Sequence, residues 1–231
     1  GAVLLAGLRH RGDLLAGLEL LDAHGIQTAI IDGAYGRTMA AHTDISDGFI
    51  LSTGAILSSS IEEITAHTMM LVDSLTLPLP TQTWQQRLLE QTLEEQRALL
   101  GTPAGEVTPL PMDSALLGLS RGRHLWTPEH TAIAIPGLVS DRVIEELLAL
   151  DATPRTLLVA DGTALKASRK LIDRLRNQWE IRANARSNLR AISYNPTSIA
   201  GLGVEAESLA SALREQLAHR GIDAHVFDPE T

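Results

Sequence analysis

The chain has 231 residues, of which 44% are hydrophobic and 20% charged, a balance that indicates a folded protein with an apolar core. It has no cysteine, which excludes disulfides, thiolate nucleophiles and cysteine-ligated metals, and no apolar run approaches the roughly 20 residues of a bilayer span. The formal net charge of −9 argues against a nucleic-acid partner, because nucleic-acid binding needs a basic surface.

The chain begins at Gly1 rather than at Met and enters a strand-like apolar run at once, at residues 2–6. We therefore expect a segment of the natural protein to precede Gly1. No basic segment followed by an apolar run marks a signal peptide, so the cytoplasm is the expected location and no membrane contact is expected.

Residues 1–80 predict a first α/β half of the protein. Short apolar runs that end in Gly, Asp or Thr predict strands over residues 2–6, 28–31 and 48–51. Leucines at helical spacing predict a helix over residues 13–23. A second helix is expected to begin after Ser58 or Ser59, because two glutamates would then lie in its first turn, near the positive end of the helix dipole.

Residues 81–128 predict a helical or irregular excursion, or a linker, between two halves. A helix rich in Gln and Glu is expected over residues 83–100. It should lie on the outside of the sheet layers, because its apolar stripe is narrow. The residues of that stripe are Leu88, Leu89, Thr92 and Leu99. Residues 101–128 are rich in Gly and Pro, which is typical of irregular structure.

Residues 129–231 predict a second α/β half, which is expected to form one composite domain with the first. Strands are expected over residues 131–135, 156–160, 189–194 and 224–227, and helices over residues 141–150, 165–179 and 205–220. Strands and helices alternate along both halves. The sequence therefore predicts an α/β fold with a mostly parallel sheet and helices on both of its faces.

Two stretches of the chain resemble each other, residues 3–34 and residues 132–163. Each reads as a strand, a Gly-Leu turn, a helix and a strand that ends in Asp-Gly. The shared physical constraints of βαβ units explain this likeness. Two pseudo-symmetric halves that arose by duplication are the alternative.

Polar residues that follow the predicted strands are the candidate ligand-binding residues, since ligands of open parallel sheets bind at the carboxyl ends of strands. They are Asp32, Thr53, Asp161 and Asn195. Asp32 and Asp161 are expected at equivalent strand ends on one edge of the sheet, where two carboxylates would favour a cation, an amine or hydroxyls over a phosphate. Ordinary turn chemistry is the alternative for each residue.

The sequence predicts no cofactor and no metal, and it identifies no catalytic residue. Residues 7–12 have the glycine spacing of a phosphate loop, but Asp13 stands where the motif needs Lys and Leu14 where it needs Ser or Thr. Neither a GxSxG motif nor a GxGxxG motif after the first strand is present. The eight histidines show no metal-ligand spacing.

Residues 164–190 are a basic exception in an acidic chain. Eight basic and two acidic residues give this stretch a net charge of +6. Because the whole chain carries −9, the remaining residues carry −15. On the predicted helix over residues 165–179, Lys166, Arg169 and Lys170 share one face. They are candidate partner-binding residues for an acidic protein or a phosphate-bearing ligand, and a solvated helix face is the alternative.

Two pairs of short motifs carry a resemblance to a known family. The first is IDGAYGR at residues 31–37 with DGFILSTGA at residues 47–55, and the second is AISYNPTS at residues 191–198 with VFD at residues 226–228. Over residues 1–80 and 130–228 the chain resembles the small, non-ATPase subunit of the lysine 5,6-aminomutase reactivase.

The resemblance implies an accessory protein without turnover of its own. Its partners would be an ATPase subunit of the MutS-like class and a cobalamin-dependent aminomutase, whose activity the two proteins would restore after inactivation of the cofactor. The resemblance assigns no catalytic residue. A small-molecule enzyme with a polar crevice at the carboxyl ends of the strands is the alternative, and a structural or regulatory subunit without a ligand is a third possibility.

Overall fold

The computed structural model describes residues 4, 11–32, 45–111, 119, 121–150, 155–198, 201 and 203–229. These residues form an α/β fold, as predicted. The α-helices are α1 (Arg11–Ala23), α2 (Ile61–Leu75), α3 (Thr83–Glu95), α4 (Asp141–Leu148), α5 (Arg169–Arg176) and α6 (Ala206–His219). The strands are β1 (Phe49–Gly54), β2 (Leu99–Gly101), β3 (Val107–Pro109), β4 (Ala132–Ile135), β5 (Val139–Ser140), β6 (Arg155–Val159), β7 (Leu165–Lys166), β8 (Trp179–Ala183), β9 (Leu189–Asn195) and β10 (His225–Phe227).

The strands form three sheets. A three-stranded sheet has the order β1-β9-β10, a five-stranded sheet the order β3-β2-β4-β6-β8, and β5 pairs with β7. Of the seven strand pairings among the described residues, five are parallel, and only the pairings of β2 with β3 and with β4 are antiparallel. The three-stranded sheet is therefore wholly parallel, and the five-stranded sheet is parallel from β4 to its β8 edge and antiparallel from β4 to its β3 edge.

The two large sheets define two lobes. Lobe 1 consists of the described residues of 45–75 and 189–229, which contribute β1, β9, β10, α2 and α6, and lobe 2 consists of the described residues between 77 and 183. Lobe 2 is thus inserted between α2 and β9 of lobe 1. The three-stranded sheet joins β1, from residues 1–80, to two strands from residues 129–231.

Each lobe has its own aliphatic core. In lobe 1, α2 and α6 pack over one face of the sheet, through side chains that include Ile64, Val72 and Leu213. In lobe 2, Ile133 and Ile135 of β4 face α4 and α5, while Ala132 and Ala134 of the same strand face α3. Every residue of β4 and β6 is buried. The five-stranded sheet therefore has helices on both faces, which explains why these strands are continuous apolar runs.

Several element boundaries differ from the predictions. Helix α2 is capped by Ser60, whose Oγ accepts a hydrogen bond from the Glu63 N–H at 3.3 Å, and not by Ser58 or Ser59. Helix α3 ends at Glu95 because Gln96 adopts a left-handed conformation with φ of 52°, so the predicted helix over 83–100 is too long. Its buried stripe contains Leu88, Leu89 and Thr92 as predicted, while Leu99 lies in β2.

Other predicted elements were wrong in type. Residues 28–31 form no strand, and the predicted strand over 2–6 lies outside the described residues except for Leu4, which is in no strand. The predicted helix over 165–179 is instead strand β7, helix α5 and the start of strand β8. Within the predicted excursion, β2 and β3 form an antiparallel pair that extends the five-stranded sheet from β4. Of the two similar stretches, residues 132–163 contain the predicted strand, helix and strand as β4, α4 and β6, whereas the described part of residues 3–34 contains helix α1 and no strand.

The two lobes touch where the turn after β6 meets the end of α2. A Cβ atom added to Gly162 would overlap the carbonyl oxygen of Ser74, so only glycine allows this approach. The connection from lobe 1 to lobe 2 is held by a hydrogen bond from the Ala183 N–H to the Pro78 carbonyl at 2.9 Å. Helices α2 and α6 of lobe 1 are joined by a two-pronged ion pair, with Arg220 Nε 2.7 Å from Asp73 Oδ1.

We predict that Gly162→Ala lowers the free energy of unfolding by about 1–3 kcal/mol, because the new methyl group collides with backbone rather than with a side chain that could move. Urea denaturation monitored by circular dichroism measures this. Gly137→Ala is the matched control, because no atom lies within 4 Å of its added Cβ. It should change stability by less than about 0.5 kcal/mol. Equal effects of the two substitutions would contradict the close inter-lobe contact.

Candidate functional site

Thr53 and Asn195 lie side by side at the carboxyl ends of two paired strands. Gly54 of β1 is in register with Asn195 of β9, and the Ala55 N–H donates to the Asn195 carbonyl at 2.9 Å. Gly54 has φ of 153°, and a Cβ atom there would overlap that carbonyl. The Asn195 side chain closes a local turn, since its Oδ1 accepts from the Thr197 N–H at 2.8 Å.

The hydroxyl group of Thr53 can offer a ligand only an acceptor. Thr68 on α2 donates its hydroxyl proton to the Ile64 carbonyl at 2.7 Å. The Oγ1 atoms of Thr53 and Thr68 are also 2.7 Å apart, and since the proton of Thr68 is already used, Thr53 must be the donor in this pair. The remaining lone pairs of Thr53 would therefore bind an amine, an amide N–H or a hydroxyl.

The side chain of Asp161 stabilises the turn after β6. It is 1% exposed, and its Oδ1 accepts a hydrogen bond from the Thr163 N–H at 2.6 Å, which caps the short helical turn Gly162–Ala164. Asp32, by contrast, follows residues that form no strand. The two carboxylates are therefore not equivalent strand ends, because only Asp161 follows a strand.

A cleft of about 1560 Å³ lies between the lobes, and we call it the β1 cleft. On one side it is bounded by β1, α2 and residues 18–32, and on the other by the starts of α4 and α5. Asp32 and Thr53 line this cleft, together with Gly162. Asp161 and Asn195 are not among its lining residues. The structure thus brings two of the four candidate ligand-binding residues to one cavity and leaves the other two in local turns.

A second groove, of about 700 Å³, lies between α5 of lobe 2 and helices α2 and α6 of lobe 1, and we call it the α5 groove. Its floor contains methionine and alanine side chains from lobe 1. The charged residues of its α5 wall are Arg169, Asp173 and Arg176, and those of its lobe 1 wall are Glu62, Asp73, Glu215 and Arg220. Sequence reasoning missed this groove, because it is assembled from three helices that are far apart along the chain.

The three candidate partner-binding cations do not share one helix face. Lys166 lies in β7, where it pairs with Ser140 and lines the β1 cleft. Arg169 begins α5, lies 3.6 Å from Asp173 and lines the α5 groove. Lys170 is exposed on the same helix. The predicted face was wrong because α5 begins after Lys166, so helical spacing does not relate that residue to the other two.

His130 is a buried polar residue that sequence reasoning did not single out. Its Nδ1 accepts a hydrogen bond from the Thr127 N–H at 3.1 Å, so the proton of the neutral ring is on Nε2, which can donate to Thr108 Oγ1 at 3.1 Å. Burial lowers the pKa of His130, and the nearby carboxylates of Glu129 and Glu106 only partly oppose this shift.

Arg155 is a second buried polar residue, and no sequence pattern indicated its burial. Its guanidinium lies 4.5 Å from the ring centre of Trp126 and 5.8 Å from that of Trp179. The two indoles meet edge to face, 5.9 Å apart. Cation–π contacts of this kind stabilise a charge that burial would otherwise penalise. The sequence concealed this cluster because Trp126 falls in the predicted excursion and Trp179 in a predicted helix.

The part of the chain that the structure describes shows neither a metal-ligating cluster nor a membrane-spanning helix. No group of three or more His, Asp or Glu residues there could hold a metal ion. None of the helices there has the length and hydropathy of a bilayer span.

The fold and the cavities define a two-lobed α/β protein with two grooves between its lobes. No family model, curated protein or solved structure matches the chain. The family resemblance of the short turn motifs therefore stands as a basis for a proposal and not as a family assignment.

We predict that lobe 2 loses stability as the pH falls below about 6.5, the ordinary pKa of histidine. The unfolded chain binds a proton at His130 in this range, while the folded protein does so only at a lower pH. The free energy of unfolding therefore decreases as the pH falls from the unfolded pKa to the folded pKa of His130, and below the folded pKa this loss is complete. Urea midpoints measured between pH 7.5 and pH 5, about the range in which histidine titrates, test this.

His130→Gln should flatten that part of the pH dependence, while the exposed His219 provides the matched control in His219→Gln. An unchanged slope in the His130 variant would contradict the prediction.

Proposed function

We propose that this protein is a cytoplasmic accessory protein that binds an ATPase subunit and a cobalamin-dependent aminomutase, and that it assists reactivation of the aminomutase. The family resemblance of the turn motifs suggests the partners. The observation that carries the partner-binding role is the basic outer surface of α5. Lys170 and Arg174 are exposed there, and within the described residues neither forms an ion pair.

The charge of this surface is the reverse of the charge of the whole chain, which is −9. A basic surface on an acidic protein steers an acidic partner to one place, because the rest of the surface repels it. The arrangement of the candidate site residues also favours binding over turnover. Asp161 and Asn195 are engaged in local turns, so the four polar residues do not line one pocket as an enzyme site would require.

We predict that Lys170→Glu combined with Arg174→Glu weakens the complex with the partners about tenfold or more, because both cations become repulsive toward an acidic surface. The experiment combines the purified protein with a reactivase-family ATPase subunit, ATP and a lysine 5,6-aminomutase that has been inactivated by turnover. Recovery of aminomutase activity is measured together with complex formation by sedimentation.

The matched control is Arg87→Glu, since Arg87 is an exposed residue of α3 on the opposite face of the five-stranded sheet. We expect this variant to bind and to reactivate like the unmodified protein. A protein that neither forms the complex nor restores activity would overturn the proposed function, and equal losses in both variants would overturn the role of α5.

A small-molecule enzyme is the second candidate, favoured by the β1 cleft. Asp32 supplies a carboxylate and Thr53 supplies an acceptor, so the cleft would suit a ligand with an amine or several hydroxyls. We predict for this case that Asp32→Asn weakens the binding of a primary amine, such as ethanolamine or lysine, about tenfold, as the loss of one ion pair would.

Calorimetric titration of the amine measures this, with the melting temperature as the check on folding. The exposed Asp223 gives the control variant, Asp223→Asn. If neither amine binds the unmodified protein, the second candidate is wrong.

A further inference from the structure

We infer that the two lobes rock about the contact between Gly162 and the end of α2, so that the α5 groove closes as the β1 cleft widens. The separate cores, the position of the two grooves on either flank of α2 and the charges on the walls of the α5 groove all favour this motion, whatever partners the protein binds.

The cores allow the lobes to move as separate bodies. Each of the three clusters of buried hydrophobic residues that the described chain forms lies wholly within one lobe. The chain passes between the lobes twice, at residue 76 and at residues 184–188. Two neighbouring crossings without a shared core are the arrangement that permits hinge motion between domains.

Helix α2 separates the two grooves. Glu62, Ala66, Met69 and Asp73 recur at helical spacing along one flank of the helix and line the α5 groove. His67, Leu71 and Ser74 recur along the other flank and line the β1 cleft. Met70 lies between these flanks and lines both cavities. A rotation of lobe 2 about α2 must therefore narrow one cavity while it widens the other.

Gly162 supplies the pivot for this rotation. It lies against the carbonyl of Ser74, at the end of α2, and it also lines the β1 cleft. Because glycine places no side chain in this contact, the turn can pivot on the helix backbone without the repacking of a side chain. The Ser74 hydroxyl is held within α2, where it donates to the Met70 carbonyl at 2.9 Å.

Opposite charges face each other across the α5 groove. Arg176 belongs to the lobe 2 wall, and Glu62 and Glu215 belong to the lobe 1 wall. Within the described residues these three side chains form no ion pair, whereas Asp73 on the lobe 1 wall is neutralised by Arg220. Closure of the groove would bring Arg176 toward the two glutamates. Attraction between the walls therefore favours closure, and salt weakens it.

The absence of cysteine makes a distance measurement direct. Nitroxide labels at Ser211→Cys and Asn177→Cys, both exposed positions, report the width of the α5 groove when their distance is measured by double electron–electron resonance spectroscopy. A second pair at His67→Cys and Ser168→Cys reports the width of the β1 cleft. The salt is raised from about 0.01 M to about 1 M NaCl, which shortens the Debye length from about 30 Å to about 3 Å.

We expect the first distance to lengthen by several ångströms with salt and the second to shorten. Arg176→Glu should give the long first distance already at low salt, and Arg176→Glu with Glu215→Arg should restore the short one. Arg142→Glu, an equal charge change at an exposed residue of α4 that does not line the groove, should behave like the unmodified protein.

The rocking motion is overturned if, in the labelled protein without charge substitutions, the two distances stay constant as the salt is raised or change in the same direction. Its electrostatic cause is overturned if Arg142→Glu has the same effect as Arg176→Glu. Since the first comparison needs only the labelled protein without charge substitutions, a charge variant that fails to fold does not affect it.

Discussion

The parallel pairing of β9 with β1 on one side and with β10 on the other is the interaction on which the architecture depends. Strand β9 is the centre of the three-stranded sheet, and its Ile192 is in register with Leu51 and with Val226. Without β9, β1 and β10 would have no partner among the described strands, and α2 and α6 would lose the sheet that they cover. Because β9 returns to β1 only after lobe 2, this pairing also makes lobe 2 an insertion.

The insertion determines where cavities can form. Two lobes with separate cores meet along α2, and a helix that meets a neighbouring body leaves a groove on each of its flanks. The β1 cleft and the α5 groove are these two spaces. The polar residues of the cleft and the charged walls of the groove are therefore consequences of one topological arrangement, although they belong to segments that are distant in sequence.

The sequence predicted the elements whose burial is uniform or strictly periodic. The apolar runs of β4 and β6 are buried along their whole length, and α4 shows three inward residues at helical spacing. Strand β8 was missed: the predicted helix over 165–179 took in only its first residue, and residues 180–183, where exposed and buried side chains alternate, were assigned to no element. Strands β2 and β3 have three residues each, too few for a period to be recognised among glycines and prolines.

The sequence predicted which candidate residues lie at strand ends but not how those strand ends are arranged. Strand ends were correctly found for Thr53, Asp161 and Asn195, yet the three belong to two different sheets. Local sequence does not record which sheet a strand joins, because that choice depends on pairing between distant segments. Nor does it show that the side chain of Asp161 is used by the backbone of its own turn. The grooves between the lobes follow from tertiary packing alone.

The hydrogen bond between the Ala183 N–H and the Pro78 carbonyl has a consequence for the order of folding. It holds together the two points where the chain enters and leaves lobe 2. Once lobe 2 has folded, the stretch between α2 and β9 acts as a short tether, and the entropy lost when β9 meets β1 is that of a small loop rather than a large one. During synthesis from the amino terminus, β1 cannot pair until β9 has left the ribosome. Until then the edge of β1 has no hydrogen-bonding partner, and the apolar face of α2 is uncovered. Early folding of lobe 2 holds β9 near β1, so that the two strands pair sooner and the edge of β1 and the apolar face of α2 are exposed for a shorter time.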